Sequence, residues 1–168
     1  LFLKLSLPVI AWLKRRLLLT QIGVIFIFTL ALISVGFLAR MISSGFTLPE
    51  EWIAAAGQSF PTEDPLNPFD LSGIVSNAGA FFGLAAGACW IRALGGFSAT
   101  GSPAQKLGRY VLGAIGVFLL WFGLGEVFPR GETWIPFILR FIRYGLVGVW
   151  VTALAPLLFI KLRLARRE

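Results

Sequence analysis

The sequence predicts an all-α integral membrane protein: a four-transmembrane-helix bundle with both termini cytoplasmic and a short interfacial helix in the first outer loop. Three observations carry this. Hydrophobic residues make up 57% of the 168-residue chain and charged residues only 14%, against about 45–50% and about 25% in an ordinary soluble domain. Four stretches, residues 17–39, 71–91, 110–125 and 144–160, contain no charged residue. The 15 basic and 8 acidic residues are confined to the residues outside these stretches and sort by sign between the two sides of a membrane.

The spans follow from length. A hydrocarbon core of about 30 Å needs about 20 helical residues at 1.5 Å each. Residues 17–39 satisfy this, with Lys14, Arg15 and Arg16 before and Arg40 after; residues 71–91 do so between Asp70 and Arg92. The third span is expected at 107–128, which sets Arg109 and Glu126 about 26 Å apart at opposite interfaces. The fourth is expected at 136–160, closed by Lys161. Together they form a membrane domain over 17–168. Residues 1–16 are apolar and then basic, with Pro8 inside and too little length to span. They read as an interfacial helix or as the stub of a preceding span, and a first residue of Leu rather than Met favours the stub. The basic residues follow the apolar part and no small-residue cleavage site comes after it, so residues 1–12 read as a poor signal peptide.

Orientation follows from the Lys/Arg flanks. With the N-terminus inside, Lys4, Lys14, Arg15, Arg16, Arg92, Lys106, Arg109, Lys161, Arg163, Arg166 and Arg167 lie at the cytoplasmic face, and of the acids only Glu168 joins them. The expected partners of these cations are anionic lipid headgroups. No nucleic-acid module accompanies the charge, so nucleic acid is excluded as a partner. The outer loop, 40–70, begins a helix at Thr47-Leu-Pro-Glu50, with Thr47 as N-cap and Trp52 and Ile53 offered to the interface. Three prolines within residues 61–68 make the remainder extended or turn-like. That loop reads as a packed connector or as a lid.

Few residues can carry chemistry. The chain has no His and one cysteine, Cys89, which removes imidazole catalysis, zinc–histidine sites and any intrachain disulfide. The acids lack calcium-loop spacing and there is no phosphate-binding Gly-Lys-Ser/Thr sequence. No catalytic, cofactor or metal site is therefore expected. Two clusters stand out. Gly79, Gly83 and Gly87 recur every fourth residue, a face that lets helices approach closely; it reads as a seam within the bundle or between two copies of the chain. Glu126, Arg130, Glu132, Arg140 and Arg143 gather at the outer interface, with Arg140 and Arg143 on one helical face. They read as an ion-pair cluster that places the helix end, or as a clamp for a lipid headgroup.

The stretch GLAAGACWIRALGGFSATG from Gly83, QKLGRYVLGAIGVFLLWFGLGEVFPRGE from Gln105 and LRFIRYGLVGVWVTALAPLLFIKL from Leu139 resembles the C-terminal membrane extension of bacterial type 2 phosphatidic acid phosphatase family proteins. The resemblance extends to Trp12-Leu-Lys-Arg-Arg and Ser72-Gly-Ile-Val-Ser-Asn-Ala-Gly79. In that family an upstream core cleaves lipid phosphates or undecaprenyl diphosphate through a nucleophilic His, without a metal. Its Pro-Ser-Gly-His and Ser-Arg…His…Asp motifs cannot exist in a chain without His, so no catalytic residue transfers. The resemblance implies a non-catalytic domain in the bacterial inner membrane, appended to a lipid phosphatase hydrolase and serving packing, dimerisation or lipid access. The alternative is a free-standing accessory or scaffold subunit of a membrane complex.

Overall fold

The computed structural model describes residues 2–43, 45–47, 49–59, 69–129, 131 and 133–167. Among these, six helices and no strand are present: α1 (Phe2–Lys14), α2 (Leu18–Ile42), α3 (Glu50–Ser59), α4 (Ser72–Ala93), α5 (Pro103–Val127) and α6 (Trp134–Lys161). Four of them, α2, α4, α5 and α6, are long and apolar enough to cross a membrane. Arg130, Glu132 and the proline-rich residues 61–68 lie outside the described residues.

The third long helix begins earlier than 107. Ser102 accepts a bond from the Gln105 amide at 3.3 Å, and Gln105 Oε1 accepts from the Ser102 amide at 3.0 Å. This reciprocal cap with Pro103 behind it satisfies two otherwise orphaned donors and starts the helix at Pro103. In α3 the Pro49 carbonyl accepts from the Trp52 and Ile53 amides, so the helix starts two positions beyond the cap expected at Thr47.

α4 and α6 form the centre. Gly79 faces Phe141, Gly83 faces Gly145, and Gly87 faces Val149 and Thr152. The two residue numbers rise together, so the helices run parallel, as two alternate members of an up-and-down chain must. A Cβ at Gly83 would lie 2.8 Å from the Gly145 carbonyl carbon and 2.9 Å from its Cα, and one at Gly148 would lie 2.6 Å from the Leu84 nitrogen. Backbone meets backbone here, with glycine on both sides. Cα–H groups point at facing carbonyls, contacts worth about 0.5–1 kcal/mol each, and dispersion along the seam adds to them.

The other two long helices pack on this pair, each antiparallel to its neighbour. α2 lies on α4 through Gly36 against Ile74, Phe26 edge-on to Phe82 with centroids 5.5 Å apart, and Phe28 beside Phe81 at 5.7 Å. Arg92 closes the far end by donating to Gln21 Oε1 at 2.6 Å, while Gln21 Nε2 donates to the Arg16 carbonyl at 2.7 Å. α5 lies on α6: the Trp150 ring fills the space beside Gly116, and its Nε1 donates to the Gly113 carbonyl at 3.1 Å. The neighbours thus run α2–α4–α6–α5. An apolar cluster of Leu71, Val75 and Phe137 sits at one end, and one of Ala155, Phe159 and Ala165 at the other.

Two short π-helical turns, Leu119–Gly123 in α5 and Trp150–Leu154 in α6, interrupt the regular ladder. A π turn holds one extra residue, which rotates the helix beyond it by about 100°. In α5 this decides which face of residues 124–127 meets α6. Beyond α6 the chain reverses with Arg163 at φ 58°, and the Arg166 carbonyl accepts from the Ser98 amide at 2.8 Å.

The seam makes a checkable demand. Gly83→Ala forces the Gly145 backbone away and is expected to cost about 1–3 kcal/mol. Gly23→Ala, where nothing lies within 4 Å of the added methyl, is expected to stabilise α2 by about 0.5–1 kcal/mol. Unfolding titrations with dodecyl sulfate in mixed micelles measure both; equal effects would remove the seam's special role.

Candidate functional site

A polar cleft is built where α5 ends and α6 begins. α6 presents Arg140 and Arg143 one turn apart, and α5 presents Trp121, Phe122, Gly125 and Glu126. Together with Phe128, Pro129 and Pro136 they line a cavity of about 300 Å³. The structure therefore brings Glu126, Arg140 and Arg143 together. Arg130 and Glu132 belong to the connection between the two helices and are outside the described residues.

The Arg143 guanidinium is held in a defined place. Its Cζ lies 5.0 Å from the centre of the Tyr144 ring, within cation–π range. A Cβ on Gly125 would come within 2.8 Å of its Nη1, so the missing side chain at 125 is what gives the guanidinium its room. The adjoining wall is fixed by Trp121, whose Nε1 faces the Tyr144 hydroxyl at 3.4 Å. Arg143 Nε is buried and has no hydrogen-bond partner among the described residues. A buried charged donor without an acceptor is costly in protein interiors.

The same end of the molecule carries Asp70. Its carboxylate accepts from the Ser72 amide at 2.8 Å and from the Ser72 hydroxyl, and Ser76 Oγ donates to the Ser72 carbonyl at 2.8 Å. The Ser72 hydroxyl holds the Asp70 carboxyl below its ordinary value of 3.8; partial burial opposes this, and the Ser72 amide and the charges of Arg140 and Arg40 reinforce it. Ser72 and Ser76 thus serve the start of α4.

Sequence reasoning missed a second polar assembly at the opposite end. Arg109, only 8% exposed, donates through Nη2 to the Ala99 carbonyl at 2.7 Å and through Nη1 to the Ser98 carbonyl at 3.4 Å. It pins the connection between α4 and α5 rather than reaching for headgroups. The available signal was the glycine-bounded stretch 95–101, a turn whose backbone carbonyls are not taken up by a helix and lie within a short chain distance of Arg109. Gly79, Gly83 and Gly87 form the α4–α6 contact described above, and Gly145 and Gly148 on the opposite helix also went unnoticed. Among the described residues no group of three His, Cys, Asp or Glu is arranged to hold a metal.

Asp70 gives the end of the molecule that holds the cleft a pH signature. Its folded pKa is depressed, so its contribution to stability is present above the unfolded value and lost as pH falls through the folded one. The stability of the wild-type chain is expected to fall as pH drops below about 4, and Asp70→Asn to flatten that part of the profile. Thermal unfolding across pH 2–7 in detergent checks this; identical profiles would show that Asp70 contributes nothing.

No curated protein and no solved structure matches the chain. The family model described as the PAP2 superfamily phosphatase, transmembrane extension, matches residues 75–167. That region contains all of α5 and α6, nearly all of α4, the glycine seam and the described residues of the cleft. The chain belongs to the family of transmembrane extensions of PAP2 superfamily phosphatases.

Proposed function

We propose that the chain is a non-catalytic membrane domain that serves a PAP2 phosphatase core by packing against it and shaping lipid access at the outer leaflet. One observation carries this reading: a chain of the phosphatase extension family contains no His in 168 residues. The nucleophile on which the family's chemistry turns must then come from elsewhere. Both termini lie at the cytoplasmic face of a bacterial inner membrane, a reading supported by eleven of the fifteen Lys and Arg residues falling on that side. In this orientation the Arg140–Arg143 cleft faces the outer leaflet. Helix α3, with exposed Trp52 and Ile53 beside Glu50 and Glu51, lies in the outer interface as an amphipathic segment.

The surface for a core is α5. Leu107, Val111, Ile115, Phe118 and Leu119 are exposed along it, while α4, taken up on two sides by α2 and α6, has little left to offer. The experiment is phosphate release from phosphatidic acid and from undecaprenyl diphosphate. The purified chain is expected to release none, whereas a PAP2 core joined or added to it is expected to change its KM for lipid substrate when the chain is present. Turnover by the chain alone, or a KM indifferent to its presence, would overturn the reading.

A further inference from the structure

We propose that the cleft between the end of α5 and the start of α6 is a binding site for a dianionic phosphate group, held by Arg143 and Arg140. This inference rests on geometry and does not require the packing role proposed above.

Four observations converge. First, among the described residues the lining of the cleft carries two guanidiniums and the single carboxylate of Glu126, with Asp70 also near enough for the charge of Arg140 to act on it, and guanidiniums match phosphate oxygens two at a time. Second, Arg143 Nε is buried without a partner among the described residues, which leaves the guanidinium short of hydrogen bonds, a cost that a phosphate on its terminal nitrogens offsets. Third, the guanidinium is oriented in advance by the Tyr144 ring and by the space above Gly125, which lowers the ordering cost of binding. Fourth, the cavity of about 300 Å³ is within the range of small-ligand sites. Its aromatic wall of Trp121 and Phe122 continues into Phe118, stacked on Phe122 with centroids 5.4 Å apart.

Depth agrees with this chemistry. Arg143 lies 18 residues before Lys161, about 27 Å along a helix. With Lys161 at one edge of a hydrocarbon core of about 30 Å, Arg143 comes within about 3 Å of the other edge and Arg140, a turn further along at about 31 Å, stands at it, next to the layer of lipid phosphates. A purely acyl occupant does not explain two arginines in the lining, and a carboxylate offers fewer acceptor oxygens than the pair can serve.

The phosphate can arrive on a lipid or as the free ion, and the two are separable. Tryptophan emission of the chain in detergent is titrated with dihexanoyl phosphatidic acid, dihexanoyl phosphatidylcholine and inorganic phosphate, with Trp121→Phe identifying the signal that arises in the cleft. The proposal expects saturable quenching by phosphatidic acid, little by phosphatidylcholine, and affinity weakened about tenfold or more in Arg143→Gln. Arg140→Gln weakens it less, and Arg143→Lys falls between wild type and Arg143→Gln, because it keeps the charge without the fork. Glu126→Gln, which removes a competing carboxylate from the lining, tightens binding. Inorganic phosphate matching the lipid identifies the free ion as the ligand; a weaker response to it identifies the headgroup; both support a phosphate site. Circular dichroism confirms that each variant keeps its helices. No saturable response to either phosphate source, or equal affinity in wild type and a helical Arg143→Gln, would overturn the proposal. Because no phosphatase core is present, failure here leaves the packing role to its own experiment.

Discussion

Everything else in this molecule depends on how closely α4 and α6 approach. In lipid, helices gain nothing from hiding apolar side chains, since the solvent is equally apolar. What remains is contact at short range, and short range requires that side chains be absent. Gly79, Gly83 and Gly87 remove them from α4, and Gly145 and Gly148 remove them from α6. The facing backbones then fix register as well as distance, because a slip of one residue would drive the Cβ of Ala78 or Ala80 into the facing backbone.

That register sets the position of the cleft. Arg140 and Arg143 follow from where α6 is held, and Gly125 and Glu126 follow from the π turn in α5, which rotates the last residues of that helix toward α6. The second π turn lies at Trp150, whose ring is locked against Gly116 and Gly113, so the α5–α6 pairing is secured below the cleft. The two polar ends play different parts. At one end Gln21, Arg92 and Arg109 spend their donors on oxygens of the chain itself. At the other, Arg143 Nε is buried without a partner among the described residues.

Much of this architecture was legible in the sequence, and the reasons are physical. Four long apolar helices follow from runs without charge, because a charge in hydrocarbon is costly. The glycine period on α4 is visible because it is local. Its partner is not: Gly145 and Gly148 are three apart and more than fifty residues away in the chain, and no periodicity links them to Gly83. The start of α5 could have been read, since Ser102-Pro-Ala-Gln105 carries the capping-box pattern with proline behind the cap. Arg109 resisted reading because an interfacial and a buried arginine look alike until the carbonyls of Ser98 and Ala99 are placed. The π turns have no compositional mark in Leu-Leu-Trp-Phe-Gly or Trp-Val-Thr-Ala-Leu; tertiary contact selects them. In the cleft the grouping of Glu126, Arg140 and Arg143 followed from their shared interface, whereas the roles of Gly125 and Trp121 required the fold.

The most direct test of the seam is a glycine-to-glycine distance in a bilayer. A Cβ on Gly83 would stand 2.9 Å from the Gly145 Cα, which with a Cα–Cβ bond of about 1.5 Å puts the two Cα atoms within about 4.5 Å. Chain labelled with 13Cα-glycine and reconstituted in lipid is expected to give a Gly83–Gly145 correlation in solid-state NMR. The cross-peak should persist when labelled chain is diluted tenfold into unlabelled chain. A cross-peak that is missing, or that vanishes on dilution because it joins two copies, would contradict the account.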